Sequence, residues 1–189
     1  FQFPAEEKPS LINFDPEKAL LAIQQTDKTV EELTFQFRNC ASFIDRLEAI
    51  QKLDGVTDNE DVAAVKNEAL KDPFWVIPMI VMQKLEPDAN SMPDLRKAAE
   101  HGGHSELRAG AMYKLMEVKD PEVIAIAERV LEKERAYPPI AAAMAALAES
   151  APQKAIQYAK KRENDENEEI IEAVSLVYAS TGEAQYLDY

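Results

Sequence analysis

The sequence predicts an all-α superhelix of about five helical hairpins, preceded by a short extended N-terminal segment. Three observations support this fold class: the composition, a repeat of about 31 residues, and turn residues placed between the repeated segments. The chain of 189 residues is 46% hydrophobic, yet it has only 5 glycines and 7% aromatic residues. This balance favours helices over a β-sandwich and provides enough apolar surface for a core.

The repeat becomes visible when small or β-branched residues are aligned with a larger aliphatic residue four positions later. Residues three and four positions apart share one face of a helix, where a small residue lets a neighbouring helix approach closely. We therefore predict that these segments are the inner, packed helices. The successive steps are 32, 30, 32 and 30 residues, from Ala49/Leu53 to Val81/Leu85, Ala111/Leu115, Ala143/Leu147 and Ala173/Val177.

Other helical patterns lie between these segments and predict a second helix for each hairpin. Asp72-Pro73 and Asp120-Pro121 each place a capping carboxylate before a proline at the first helical position. Two helices in each repeat are typical of an α-solenoid, and an irregular helical bundle is the alternative. The additional helical patterns are 30–43, 61–70, 93–99, 121–133 and 152–162.

The first residues follow a different pattern. Prolines at positions 4, 9 and 16 and short apolar clusters, including Phe1/Phe3, favour an extended segment over a helix. We interpret residues 1–16 as an extended linker or the end of a preceding β domain, and residues 17–189 as the solenoid. The chain also lacks an initial Met and a signal-peptide pattern, so we expect a fragment or a processed product.

Charge and hydropathy exclude several classes of partner. A formal net charge of −14 would repel nucleic-acid phosphates and anionic lipid surfaces. The longest apolar stretches, 73–82 and 138–148, are shorter than the roughly 20 residues that a membrane-spanning helix needs. We therefore expect neither nucleic acid nor a membrane as a partner. One cysteine, Cys40, cannot form an internal disulfide, and the sequence does not indicate a compartment.

Three segments resemble a known family, the gluzincin zinc aminopeptidases of the aminopeptidase N type, whose C-terminal region is HEAT-like. Residues 8–16 (KPSLINFDP), followed by Ala19-Leu20-Leu21, resemble the segment that leaves the β domain of the family and enters its helical domain. Residues 39–49 (NCASFIDRLEA) and 70–76 (LKDPFWV) resemble its first two repeat junctions. One departure is Pro78, which stands where the family pattern tends to have arginine.

The resemblance implies that a parent enzyme removes N-terminal residues from peptides with a zinc-bound water. This chain would be its noncatalytic C-terminal domain, which shapes or covers the active-site chamber. Its expected partners are the catalytic and β domains of the same parent chain, with peptide substrate as a further partner. The zinc would lie in the catalytic domain, because the H-E-x-x-H motif that binds it is missing from this sequence.

No residue of this chain is predicted to be catalytic, cofactor-binding or metal-binding. His101 and His104 are too few ligands for zinc, and the two glycines between them indicate a surface turn. Cys40 lacks the signature of an activated nucleophile, so we expect a small buried residue at a helix end. The acidic clusters 54–61 and 163–169 lack the glycine and ligand spacing of a calcium loop and are predicted to be solvated turns.

Two further patterns have structural interpretations with functional alternatives. Arg46 and Arg108 occupy equivalent repeat positions, where we expect an arginine to bond an aspartate or a carbonyl of the adjacent unit. Phe74 and Trp75 begin an apolar run that we assign to the core, with a ligand groove as the alternative. Two other functions remain open: a free-standing HEAT-like scaffold that binds a partner protein, and an enzyme of unknown type.

Overall fold

The fold is known from a computed structural model, which describes residues 4, 6–21 and 26–182. Within these ranges the protein has ten α-helices and no β-strand, which confirms the all-α class. The helices are α1 (Val30–Asn39), α2 (Phe43–Leu53), α3 (Glu60–Ala69), α4 (Val76–Lys84), α5 (Met92–His101), α6 (Ser105–Glu117), α7 (Val123–Lys133), α8 (Tyr137–Ser150), α9 (Pro152–Lys160) and α10 (Glu168–Thr181).

The chain divides into two compact units, Phe1–Ile77 and Pro78–Tyr189, and the division falls inside α4. In the first unit, α1 and α2 form a hairpin, and α3 packs against both of them. In the second unit, α5/α6, α7/α8 and α9/α10 form three successive hairpins. The second helices form one layer, because α8 packs between α6 and α10, while the first helices α5 and α7 contact each other. This stacking of helical hairpins is the one that the repeat predicts.

The predicted inner helices and the predicted helices between them are all confirmed, although some of their ends were predicted wrongly. The pattern 30–43 was too long, because α1 ends at Asn39 and the next residue, Cys40, adopts an extended backbone. Pro73 and Pro121 lie in turns before α4 and α7 rather than at their first positions. Asp72 accepts the N–H of Phe74 at 2.9 Å, and this local bond closes a turn before the helix can begin.

The core of the second unit is centred on α8, in which every residue from 139 to 148 is buried. Six of those ten residues are alanines with little side chain to fill space. Ala142, Ala143 and Ala146 are 0% exposed. Small side chains along a central helix allow neighbours to pack against both of its sides, whereas larger ones would hold them apart. The alanine content of α8 therefore explains why it can serve as the middle helix of the second layer.

The described residues before α1 contain turns but no helix or strand. Asp15 forms the main turn, in which its carboxylate accepts the N–H groups of Ala19 and Leu20, each at 2.9 Å. Phe1 and Phe3, which belong to the predicted extended segment, lie outside the described residues. The first helix begins only at Val30, so the described residues of 17–29 precede the hairpins rather than forming part of them.

A polar cluster attaches this segment to the α1/α2 hairpin. The Lys28 ammonium donates to Gln36 Oε1 at 2.6 Å, and Gln36 Nε2 donates to the carbonyl of Asp45 at 2.7 Å. Glu48 accepts from Lys18 at 3.2 Å and lies 2.9 Å from Lys52 Nζ. Burial alone would raise the pKa of Glu48, but the Lys52 and Lys18 hydrogen bonds and the charge of Lys28 outweigh it and lower this pKa to about 2.

Candidate binding groove

The structure places the two histidines on either side of the turn that joins α5 to α6. His101 is the last residue of α5 and is exposed, while His104 is the N-cap of α6. His104 Nδ1 accepts the N–H of Glu106 at 3.3 Å, so one ring nitrogen takes part in capping. Across the part of the chain that the structure describes, no three His, Cys, Asp or Glu side chains are placed to hold a metal ion. This donor set therefore does not fit the zinc of an aminopeptidase.

Cys40 lies at the C-terminal end of α1 and is half-buried. Burial raises the pKa of its thiol, and the negative charge of Asp45 raises it further, against smaller lowering effects of Lys28 and Arg46. A raised pKa leaves less thiolate at neutral pH, which is the opposite of what an activated nucleophile needs. The position at a helix end is as predicted, whereas the expected full burial was wrong.

Arg46 and Arg108 bond in the same way in two different repeats. Arg46 donates to both carboxylate oxygens of Asp72, at 2.6 and 3.0 Å, and to the carbonyl of Ala41 in the turn before its own helix. Arg108 donates to Glu134 at 2.6 Å and to a turn carbonyl at 2.7 Å. In both cases the carboxylate lies 26 residues after the arginine, in the turn before the inner helix of the next repeat. The geometry therefore shows the predicted structural role, a bond from each arginine to the adjacent unit. Each arginine also bonds a carbonyl in the turn before its own helix.

The repeat between these two lacks both partners of that pair. Pro78 takes the place of the arginine, and the residue 26 positions later is His104 rather than an acid. Pro78 lies in the first turn of α4, where a missing N–H costs little. The turn-closing bond nevertheless persists before α4, α6, α8 and α10, since a side chain accepts the N–H two residues later at Asp72, His104, Glu134 and Asp165.

The apolar run that starts at Phe74 is divided between core and surface. Ile77, Val81 and Met82 are buried, whereas Phe74 and Trp75 are half-buried. The Phe74 ring lies 4.1 Å from the Phe43 ring, centroid to centroid. The core interpretation therefore holds for one face of α4. The acidic clusters are turns only in part: 54–59 and 163–167 precede α3 and α10, whereas 60–61 and 168–169 lie in the first turns of those helices.

A groove on the second layer of the second unit is a concavity that sequence reasoning missed. It has a volume of about 300 Å³ and runs along α8, with α6 and α10 as its two walls. We call it the α8 groove. Its lining residues are Glu106, Ala109 and Tyr113 of α6, Pro138, Ala141 and Ala145 of α8, and Glu169, Glu172, Ala173 and Leu176 of α10.

The three helices contribute to the groove with the same spacing. On each of them lining residues lie at positions i, i+3 and i+7, which share one helix face, and α10 adds Ala173 at i+4. Because the hairpins stack in register, equivalent residues form rows across the groove. Glutamates lie at the first row on both walls, and Tyr113 and Leu176 lie at the last row with Ala145 between them. Glu172 lies in the middle row, so the α10 wall is acidic over its first two rows, while the last row is apolar.

The side chains of the walls are solvent-accessible, while the alanines of the floor are buried. Tyr113 is 50% exposed and Leu176 is 48% exposed, against 8% for both Ala141 and Ala145. Burial raises the pKa of the Tyr113 hydroxyl, and the nearby charges of Glu169 and Glu172 raise it further. Those two carboxylates therefore impose a negative potential on the groove that reaches the facing wall.

A second concavity of about 620 Å³ lies around Tyr158, beside α7 and α9. Lys161 Nζ lies 5.4 Å from the centre of the Tyr158 ring, and Arg162 lies 3.4 Å from Asp165. Its charges are mixed and include these local pairs, so it shows no net preference for a charged ligand.

The sequence contained a signal for the α8 groove in its repeat pattern. The aligned residues were those with a small side chain facing the core, and a second set recurs on the outer side of α6, α8 and α10. A search for exposed apolar residues at repeat positions would have selected Tyr113 and Leu176, but it would not have shown that they face each other across α8.

None of the helices in the described ranges is both long and apolar enough to cross a membrane. Comparisons with family models, curated proteins and solved structures find no match, so the family resemblance stays a prediction.

Proposed function

We propose that this chain is a noncatalytic helical domain that binds extended peptide in the α8 groove, and that it serves a zinc aminopeptidase by shaping or covering its active-site chamber. The observation that carries the proposal is the groove itself, in which a buried alanine floor lies between two solvent-accessible walls. Stacked helical hairpins commonly bind extended chains along the surface that their second helices form.

The dimensions of the groove support a peptide rather than a compact ligand. From Pro138 to Ala145 the floor extends over seven residue steps of α8, or about 10 Å at 1.5 Å per residue. An extended chain advances about 3.1 to 3.4 Å per residue, so three or four peptide residues would fill this length. The alanine floor lets the peptide backbone approach closely, and the two walls provide the side-chain contacts.

The link to an aminopeptidase depends on the resemblance of residues 8–16, 39–49 and 70–76. In that setting the parent enzyme would supply the zinc and the hydrolytic residues, and this domain would hold the part of the substrate that lies away from the cleaved bond. Exposed apolar residues before α1 support an attachment to further domains of the parent: Ile12 is 70% exposed, Phe14 62% and Leu21 107%.

A titration of the isotope-labelled chain with short acetylated, amidated peptides tests the binding. We expect amide shifts that concentrate at Ala109, Ala141 and Ala145, and their loss in Ala145→Leu, whose side chain would fill the groove. Gln157→Leu on the exposed side of α9 is the matched control, because it adds the same side chain outside the groove. An absence of groove shifts at millimolar peptide would overturn the proposed binding.

A free-standing scaffold that binds a partner protein is the second candidate, and the same exposed apolar segment before α1 favours it equally. The two candidates differ in where the partner is encoded. An upstream reading frame continuous with Phe1 that contains H-E-x-x-H and a later glutamate supports the aminopeptidase, whereas a start codon just before Phe1 supports the scaffold.

A further inference from the structure

We infer that the α8 groove selects cationic peptides, and that it recognises a basic side chain followed by an apolar side chain three residues along an extended peptide. This inference rests on the proposed function and deepens it, because it names the class of peptide. Two observations carry it, namely the charge of the lining residues and the separation of the acidic and apolar ends.

The charge of the groove has a single sign. Its lining contains three glutamates, Glu106, Glu169 and Glu172, and no lysine or arginine. Within the described ranges none of the three forms an ion pair, whereas carboxylates of the other layer do, as in Glu100–Arg129 at 2.7 Å and Glu128–Lys154 at 3.0 Å. The groove is therefore a site where carboxylates from facing walls remain uncompensated until a cation binds between them.

Helix termini act against a cation here, but their contribution is smaller. Glu106 and Glu169 lie in the first turns of α6 and α10, where the helix dipole places about half a positive charge at each N-terminus. Glu106 and Glu169 carry two full negative charges at this end, and Glu172 adds a third in the middle row. Together they exceed the partial charges of the helix N-termini, so the groove remains attractive to an ammonium or a guanidinium group. A nucleic acid or an anionic lipid would be repelled by the same carboxylates.

The separation of the two ends sets the spacing of the peptide. Glu106 and Glu169 each precede an apolar residue of the same helix, Tyr113 and Leu176, by seven positions, which corresponds to about 10 Å along the groove. In a polyproline II peptide, side chains three residues apart lie on the same side and about 9 Å from each other. In a β-strand, residues two or four apart share a face, at about 7 or 14 Å, and neither value matches the distance between the first-row glutamates and the last row.

The walls also favour polyproline II over strand addition. Both walls are helices, whose backbone groups are bonded internally, so they offer no sheet edge to a β-strand. Polyproline II needs no backbone partner, because its own groups remain solvated. The half-exposed Tyr113 ring and Leu176 side chain would cover the apolar peptide residue at the far end of the groove.

Titrations with matched peptides test the spacing and the charge separately. The reference peptide is acetyl-Gly-Lys-Gly-Gly-Leu-Gly-amide, and its variants replace lysine by norleucine, replace leucine by glycine, or place lysine and leucine side by side. Amide shifts of Ala141 and Ala145 report binding. We expect each change to weaken binding, with about a tenfold loss for norleucine at low salt, and the affinity of the reference peptide to fall as salt is added.

Variants of the protein test the location. Glu169→Gln/Glu172→Gln should weaken the lysine peptide about tenfold and leave the norleucine peptide unchanged. Glu132→Gln on α7 is the matched control, since it removes an exposed charge outside the groove. Circular dichroism checks that each variant is folded.

The possible results separate the inference from the function on which it rests. Equal binding of the lysine and norleucine peptides in the groove would overturn the charge selection and leave the proposed peptide binding intact. Equal binding of the adjacent lysine–leucine peptide would overturn the three-residue spacing alone. If no peptide shifts the groove amides, the inference and the proposed function both fail.

Discussion

The guanidinium of Arg46 holds the carboxylate of Asp72 with two hydrogen bonds, of 2.6 and 3.0 Å, across 26 residues of chain. Asp72 also closes the turn that leads into α4, and Arg46 also reaches a carbonyl of the turn before α2. A single ion pair therefore joins two turns, the one before α2 and the one before α4. Arg108 and Glu134 repeat the arrangement in the second unit, where Glu134 accepts two backbone N–H groups as well.

We expect Arg46→Ala to lower the free energy of unfolding by about 3 kcal/mol, because it leaves the Asp72 carboxylate buried and without its cation. The side chain of Asp72 is only 3% exposed. Arg108→Ala should cost less, about 1 to 2 kcal/mol, since Glu134 is 16% exposed and keeps its backbone bonds. Urea denaturation of both variants measures the difference. Equal losses would contradict the assigned role of burial.

Acid should destabilise the attachment of the N-terminal segment through Glu48. Its pKa in the folded protein is about 2, below the ordinary value of 4.5, so its stabilising effect is complete above pH 5 and is lost as the pH falls towards 2. We expect Glu48→Gln to reduce the slope of unfolding free energy against pH in this window. Denaturation at several pH values measures it, and an unchanged slope would rule out Glu48 as a source of acid sensitivity.

Glycine positions around α6 should differ in their tolerance of a methyl group. A Cβ at Gly102 would lie 2.7 Å from the backbone carbonyl oxygen of Ala98, so we expect Gly102→Ala to cost about 1 to 3 kcal/mol. Gly103→Ala is the control, because nothing lies within 4 Å of its added carbon. Thermal denaturation compares the two. Similar melting temperatures would show that the backbone at Gly102 can move aside.

Inside α6, Gly110→Ala should be tolerated. Its Cβ would approach Met79 Sδ to 2.7 Å, but a methionine side chain can adopt another rotamer. Alanine also has a higher helix propensity than glycine by about 1 kcal/mol, which offsets the cost of that adjustment. We expect an unfolding free energy within about 1 kcal/mol of the parent in urea. A much larger loss would mean that Met79 is fixed in place by its neighbours.

Two alanines of α8 should respond in opposite ways to enlargement. Ala143 is 0% exposed and belongs to the core, so Ala143→Leu should destabilise the unit by several kcal/mol or prevent folding. Ala145 is part of the groove floor, and the leucine of Ala145→Leu can extend into the groove with little cost. Thermal denaturation and the peptide titration together check this. An unfolded Ala145→Leu would show that the groove floor has no spare volume.

Much of the fold follows from one regularity of the sequence, the alternation of small and aliphatic residues at helical spacing. That pattern predicted the inner helices because Ala49, Ala111, Ala143 and Ala173 are buried at helix contacts. The helix ends were less predictable. A proline after an acidic residue fits both a helix start and the preceding turn, and only the bond from Asp72 to the N–H of Phe74 decides between them.

The candidate groove could not be predicted from burial patterns, because its residues lie on the surface side of well-packed helices. Tyr113 and Leu176 read as scattered exposed residues until stacking of the hairpins brings α6 and α10 to the two sides of α8. The bonds of Arg46 and Arg108 to the adjacent unit were predictable, because equivalent positions of a repeat have equivalent neighbours. Their second bond, to the turn of the same hairpin, depends on side-chain direction, which sequence spacing alone does not give.

Because α8 packs between two other helices, the order of synthesis leaves it temporarily without one of its neighbours. On the ribosome, α8 emerges before α10, which forms one of its two flanking contacts. Until α10 has been synthesised, the side of α8 that it will cover stays open to water and to other nascent chains. Premature termination between Ser150 and Glu168 would make this exposure permanent, so such truncated products are expected to aggregate or to require a chaperone.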